Sequence, residues 1–223
     1  MKVSTDSLIL GSFVDTTNAS SMLDVGTGSG ILALMMAQKS APDAAITAID
    51  IDSGAIAQAS HNAANSPWPE KIRIEQSPLQ EMDHQQQYDL IVSNPPYFAD
   101  SVRPTRAYAS MPESRGLART EQTLPIDDFF TQTAVLSHVG SRLYCMYPIA
   151  REAVVFNSAL RSGWHIKQSL SVRHNASSAP YLGVYCFVRV PASVAVETLT
   201  IRTGENQYTA EYKQLCADFY LNF

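Results

Sequence analysis

The sequence is short of several things, and each shortage removes a class of protein. It has three cysteines in 223 residues, Cys145, Cys186 and Cys216, far apart and among apolar neighbours. That argues against a disulfide framework and for buried, reduced thiols. No Cys or His spacing resembles a metal site, so no metal is expected. Charged residues make up only 17%, and the net charge is −5. Such a chain has no global attraction to a phosphate backbone and can hold nucleic acid only through a local basic patch. Long apolar runs are missing too: residues 8–10 and 31–37 fall far short of a membrane span. The apolar start is broken by Gly11 and Ser12 and lacks a small-residue cleavage site. It does not read as a signal peptide, and a cytoplasmic location is expected.

What is there suits a globular α/β protein. Apolar residues reach 45%, enough to bury a sizeable core. Residues 21–26, 45–50, 72–76 and 88–93 read as strands, with helices over 31–39 and 53–65. This alternation predicts a parallel sheet with helices on both faces. Residues 98–125 have no clear periodicity and hold Arg103, Arg106, Arg115 and Arg119. A segment that long is not a plain connector and is expected to be a substrate-side loop. A helix follows over 126–139, then a strand over 142–147 and a helix over 152–161, stopped by Gly163. Strands over 164–172 and 181–190 come next. A strand at 197–202 and a helix at 208–219 form a C-terminal extension, 197–223, of a single domain spanning 1–223.

Two motifs carry chemistry. Leu23-Asp24-Val25-Gly26-Thr27-Gly28-Ser29-Gly30 closes the first strand and opens the first long helix. Its glycines let backbone approach a ligand at the C-terminal edge of the sheet. The G-x-G-x-G spacing differs from the G-x-G-x-x-G that packs a helix onto a pyrophosphate, so a dehydrogenase is disfavoured. Alone, such a turn is also compatible with a tight strand-to-helix connection. Asp50 strengthens the ligand reading. It ends the second strand, 20 residues after Gly30, where an ionised carboxylate accepts from two ribose hydroxyls. The bland alternative is that Asp50 caps the next helix; Asp52 is a less suitable ribose partner.

The second motif is Asn94-Pro95-Pro96-Tyr97, directly after the fourth strand. An amino group conjugated to a ring or carbonyl is a poor nucleophile, because its lone pair is delocalised. The Asn94 side-chain oxygen and the Pro95 carbonyl can accept its two hydrogens and localise that lone pair. The two prolines stiffen the acceptors in place before reaction. Tyr97 can stack on a planar substrate.

Together the glycine turn, Asp50 and the N-P-P-Y motif resemble class I S-adenosylmethionine methyltransferases, and among them the amino-methyltransferases of DNA, RNA and protein glutamine. That resemblance implies a Rossmann-like, doubly wound, mostly parallel seven-stranded sheet with an antiparallel last strand. A closer likeness runs over nearly the whole chain. Met1-Lys2-Val3-Ser4-Thr5-Asp6-Ser7-Leu8-Ile9-Leu10-Gly11, Asn65-Ser66-Pro67-Trp68, Arg115-Gly116-Leu117-Ala118-Arg119 and the stretch from Ile201 through Tyr212 to Leu221 resemble bacterial tRNA (adenine-N6)-methyltransferases that act next to the anticodon of a valine tRNA.

The likeness implies S-adenosylmethionine as cofactor and tRNA as partner. It places Lys2, Thr5, Asp6, Asp24, Gly26, Gly28, Gly30, Asp50, Ile51, Ser77 and Asn94 at the cofactor, with Asp6 near its amino-acid end. Thr5 and Asp6 also read as a cap for a helix over 8–14, and the two roles are compatible. Arg103, Arg106, Arg115 and Arg119 are expected on RNA phosphates, Phe98 at the far wall of the base pocket, and Lys167, Arg173 and His174 along a positive rim. The chain departs from the pattern in three ways. Pro78 stands where an acidic residue often meets the cofactor adenine, which shifts that role to Ser77 or the backbone. Ser4 and Ser7 stand where relatives favour glycine, so Ser7 is expected to alter that loop. Relatives usually begin some tens of residues earlier. A monomer or weak dimer is expected. Two rival readings stay open: methylation of a release-factor glutamine, and a non-catalytic cofactor- or RNA-binding module.

Overall fold

Strand and helix signals in the chain resolve into one sheet covered on two faces. The computed structural model describes residues 4–95 and 124–220. Helix α1 (Thr5–Phe13) comes first, capped by Ser4, whose side chain accepts from the Ser7 backbone N–H. The cap is thus Ser4, ahead of both Thr5 and Asp6, and Ser7 lies in a helical first turn rather than a loop.

Strand β1 (Ser21–Val25), helix α2 (Ile31–Lys39), strand β2 (Ala45–Asp50), helix α3 (Ser53–Ala64), strand β3 (Ile72–Gln76) and strand β4 (Tyr88–Ser93) follow the expected rhythm. Beyond the undescribed segment come helix α4 (Ile126–Val135), strand β5 (Ser137–Pro148), helix α5 (Glu152–Arg161), strands β6 (His165–Arg173), β7 (Leu182–Val188) and β8 (Ala195–Thr200), and helix α6 (Ala210–Cys216).

The sheet order is β3-β2-β1-β4-β5-β7-β6-β8. Strand β7 pairs antiparallel with both β5 and β6, while the other pairings are parallel. The antiparallel seventh strand was expected. The eighth is an addition to the seven-stranded sheet: the C-terminal segment pairs with β6 from Ala195 to Thr200 and becomes the sheet edge.

Helix α4 is shorter than its sequence pattern. It buries Ile126, Phe129, Phe130 and Thr133, an i, i+3, i+4, i+7 stripe, and then gives way to β5. Strand β5 bulges there, so that six residues of β5 (Ser137 to Arg142) span three of β4 (Tyr88 to Leu90). Ser141 fixes the bulge by donating to the Tyr88 carbonyl at 2.7 Å and accepting from the His138 N–H at 2.8 Å.

Alternation along the strands splits the core in two. Met22, Leu90 and Val92 face the side covered by α1, α2 and α6, and Leu23, Val25 and Ile91 face α4 and α5. All three cysteines are buried and unpaired. No helix among the described residues is long and apolar enough to cross a membrane.

Candidate active site

Strand order reverses between β1 and β4, because β2 and β3 lie on one side of β1 and β4 and β5 on the other. In sheets of this kind a crevice opens at the carboxyl ends of the strands where the order reverses. Val25 is paired with both Ile49 and Ser93. One step further along, Gly26 therefore sits between Asp50 and Asn94, on strands spaced about 4.8 Å apart. The Ser93 hydroxyl donates to the Val25 carbonyl at 2.9 Å and locks the two strand ends together.

The glycine turn is built from its neighbours. Gly26, Gly28 and Gly30 all have positive φ, 70°, 56° and 81°, which side-chain-bearing residues resist. Gly26 is exposed, and a Cβ there would meet nothing within 4 Å. Gly30 is different. It is buried, and a Cβ would press on Ala59 of α3 at 3.3 Å. Its room separates α2 from α3, so its part is helix packing.

As the N-cap of α2, Gly30 has no side chain to offer. Asp24 supplies the missing cap from the end of β1. Its Oδ2 accepts from the Thr27 hydroxyl at 2.6 Å and from the Ala33 N–H at 3.1 Å. Asp24 is wholly buried, and burial, resisted by these two donors and reinforced by the charge of Asp50, pushes its carboxyl up to about 7. Its Oδ1 is buried with no hydrogen-bond partner among the described residues.

Asp50 does not cap α3; Asp52 does, accepting from the Ala55 N–H at 2.7 Å. Asp50 instead accepts from the Gly28 N–H at 2.9 Å and the Asp52 N–H at 3.0 Å, which ties the end of β2 to the glycine turn. Each carboxylate oxygen keeps further acceptor capacity. Ile51 beside it is 43% exposed. The Ser77 N–H donates to the Asp50 carbonyl at 3.1 Å and its hydroxyl to the Pro78 carbonyl at 3.1 Å. Residues 50, 51 and 77 thus gather at one corner.

The other side of the crevice is assembled over long sequence distances. Asn94 and Pro95 are both half-buried at the end of β4. The Asn94 Nδ2 donates to Ser7 Oγ at 2.9 Å. Thr5 is exposed. Asp6, half-buried, accepts from the Tyr181 hydroxyl at 3.2 Å, and the Tyr181 ring stacks on His174 with centroids 4.3 Å apart. Burial raises the Asp6 carboxyl above its ordinary range, against the pull of Tyr181 and His174. Tyr181 was not foreseen as a site residue, and Ser7 was expected only to alter its loop, not to meet Asn94.

Of the other expected site residues, Lys2, Pro96, Tyr97, Phe98, Arg103, Arg106, Arg115 and Arg119 lie outside the described residues. The expected rim divides. Arg173 and His174 are at the carboxyl end of β6, on the crevice edge, but Lys167 lies near its start, toward the opposite edge. Arg173 is tied down, donating to Thr200 Oγ1 at 2.8 Å and to the Ala176 carbonyl at 3.2 Å.

Known proteins match this architecture. Residues 2–114 match the methyltransferase small domain family. The chain is 35% identical over 221 residues to the tRNA1(Val) (adenine(37)-N6)-methyltransferase of Pseudoalteromonas translucida, covering 99% of this chain and 92% of that one. It is also 35% identical to the Serratia proteamaculans protein of the same name, covering 99% and 84%. Among solved structures, a predicted O-methyltransferase from Agrobacterium tumefaciens superposes with a TM-score of 0.69 at 13% identity, covering 95% of each chain. A ribosomal protein L11 methylase from Lactobacillus delbrueckii gives 0.57 at 18% identity, covering 83% and 78%. The fold is that of the class I methyltransferases.

Proposed function

We propose that this chain, which belongs to the methyltransferase small domain family together with the tRNA1(Val) (adenine(37)-N6)-methyltransferases, transfers a methyl group from S-adenosylmethionine to the exocyclic N6 amino group of an adenine in tRNA. Adenine 37 of a valine tRNA is the proposed target, from the names of the relatives. A cytoplasmic setting goes with that substrate. One observation carries the reading: Asn94-Pro95 stands one strand away from the glycine turn, at the point where strand order reverses.

The residues present fit the cofactor. The turn opens onto space at Gly26, and two residues before it Asp24 Oδ1 is buried with no hydrogen-bond partner among the described residues. Asp50 would hold the ribose hydroxyls, Ile51 and the Ser77 corner would flank the adenine, and Thr5, Asp6 and Lys2 would bound the amino-acid end. When bound, S-adenosylmethionine supplies an electrophilic methyl group on a sulfonium.

The chain supplies the geometry of the nucleophile. Asn94 Oδ1 and the Pro95 carbonyl accept the two N6 hydrogens. They draw the nitrogen out of conjugation and aim its lone pair into the crevice. Pro95 and Pro96 hold those acceptors before the substrate arrives. An anticodon-loop adenine is unpaired, so it reaches the site without duplex opening, with Tyr97 as its stacking partner. No general base is required, because the nitrogen becomes more acidic as the bond forms and can release its proton to water. Arg103, Arg106, Arg115 and Arg119 would meet phosphates, giving salt-sensitive binding.

Transfer of labelled methyl from S-adenosylmethionine to unmodified tRNA, followed by nucleoside analysis, tests the proposal. N6-methyladenosine is the expected product. Label appearing only in a release-factor protein would overturn the substrate.

A further inference from the structure

We infer that Ser7 is a positioning residue for the reaction, orienting the Asn94 carboxamide so that its oxygen, and not its nitrogen, is presented to the substrate amino group. The inference rests on the methyl-transfer reading for what Asn94 does, though not on which amine is methylated.

A carboxamide has one donor end and one acceptor end of nearly the same shape. The two orientations have opposite consequences here. With the oxygen toward the substrate, Asn94 accepts an amino hydrogen. With the nitrogen there, two N–H groups face two N–H groups, and the lone pair is not localised. Something other than shape must choose between them. In this structure the Asn94 nitrogen is engaged by helix α1. Its Nδ2 donates to Ser7 Oγ at 2.9 Å, across 87 residues of sequence.

Ser7 is itself held. It is buried, 9% exposed, in the first turn of α1. Its Oγ accepts from the Ser4 hydroxyl at 3.0 Å, and its N–H donates to Ser4 Oγ at 3.1 Å. With the Ser4 hydroxyl donating into it, the Ser7 oxygen meets Asn94 as an acceptor. The cap of α1 and the orientation of Asn94 are thus one network, which joins the first described residue to the end of β4. Asp6, the neighbour of Ser7, is fixed in turn by Tyr181 at 3.2 Å, so the first turn of α1 is anchored at two points, to the end of β4 and to the start of β7.

Two readouts test it together. The Asn94 side-chain ¹⁵N–¹H signals are assigned by their loss in Asn94→Asp and followed in wild type and Ser7→Ala. Single-turnover methyl transfer is measured alongside cofactor affinity, the KM for tRNA and the melting temperature. Ser7→Ala is expected to move the Asn94 signals and speed their exchange with solvent. The transfer rate should fall about tenfold, as for loss of one hydrogen bond, with cofactor affinity and KM within about twofold. Ser7→Thr, which keeps the hydroxyl, should restore both the signals and most of the rate. Unmoved Asn94 signals would overturn the inference, and so would a Ser7→Ala rate within twofold of wild type. A parallel loss of cofactor affinity and melting temperature would also overturn it, by making Ser7 a support of α1 only. If wild type methylates a protein amide instead of tRNA, the tRNA reading fails, and the same Ser7 comparison on that acceptor still decides this one.

Discussion

Strand β4 has a polar side chain at each end, and the two ends have opposite fates. At its start, Asp89 is consumed by structure. Its Oδ2 accepts from the Ser20 N–H and hydroxyl at 2.8 Å each and from the Ser21 N–H at 3.0 Å, while Oδ1 meets His138 Nε2 at 3.0 Å. Burial raises its carboxyl, but these donors outweigh burial and hold it down at about 2. Immediately past its end, Asn94 is tied through its nitrogen to Ser7, on the edge where the glycine turn opens. Beside it, Asp24 shows the reverse balance from Asp89: two donors reach one of its oxygens, none reaches the other, and burial wins. One edge of the sheet is closed on itself, and the other is organised around what it has yet to bind.

The comparison is broken most sharply at Asn94. Asn94→Ala should reduce kcat by about 10²- to 10³-fold, the cost of one preorganised polar contact to a transition state. Cofactor affinity and melting temperature should stay near wild type. Equal loss of turnover and cofactor binding would show that the two halves of the crevice are not separable.

Asp89→Ala should do the opposite. Denaturant unfolding is expected to show a loss of about 2–3 kcal/mol, from several donors left without their charged acceptor, while turnover per folded molecule stays within about twofold. Appreciable loss of turnover in the folded fraction would join the far edge to the site.

A third test reads the pH dependence of stability. Asp24 has its folded pKa raised from 3.8 to about 7, so the folded state keeps a proton that the unfolded chain releases. That contribution is fully present below pH 3.8 and is lost as pH rises toward 7. Asp89 is lowered from 3.8 to about 2, so its contribution is present above pH 3.8 and lost as pH falls toward 2. Asp24→Asn, neutral throughout, should flatten the decline of stability between about pH 4 and 7 and leave the acid limb unchanged. A slope unaltered by Asp24→Asn would place that titration elsewhere.

Much of this was legible in the chain because the relevant physics is local. The βα alternation, the positive-φ glycines after β1 and an acidic end to β2 are each set within a few residues of chain. They fix the cofactor side of the crevice through backbone geometry and strand polarity. The prolines after Asn94 mark the reaction motif for the same reason, since two adjacent rings stiffen the chain wherever they stand. Other features had no such signature. The end of α4 depended on a bulge against β4, and the place in the sheet of the last strand, itself read at 197–202, on pairing with β6. Gly30 reads in sequence like Gly26, yet it faces Ala59 and packs helices, whereas Gly26 faces open space.

By itself the sequence determined the fold class and put the glycine turn, Asp50 and Asn94 at the carboxyl ends of their strands. Only the tertiary structure decided how those residues are held. The partners of Asn94 and Asp6 are Ser7 and Tyr181, 87 and 175 residues away. No periodicity or spacing encodes a hydrogen bond between a helix at the start of the chain and strands laid down long after it.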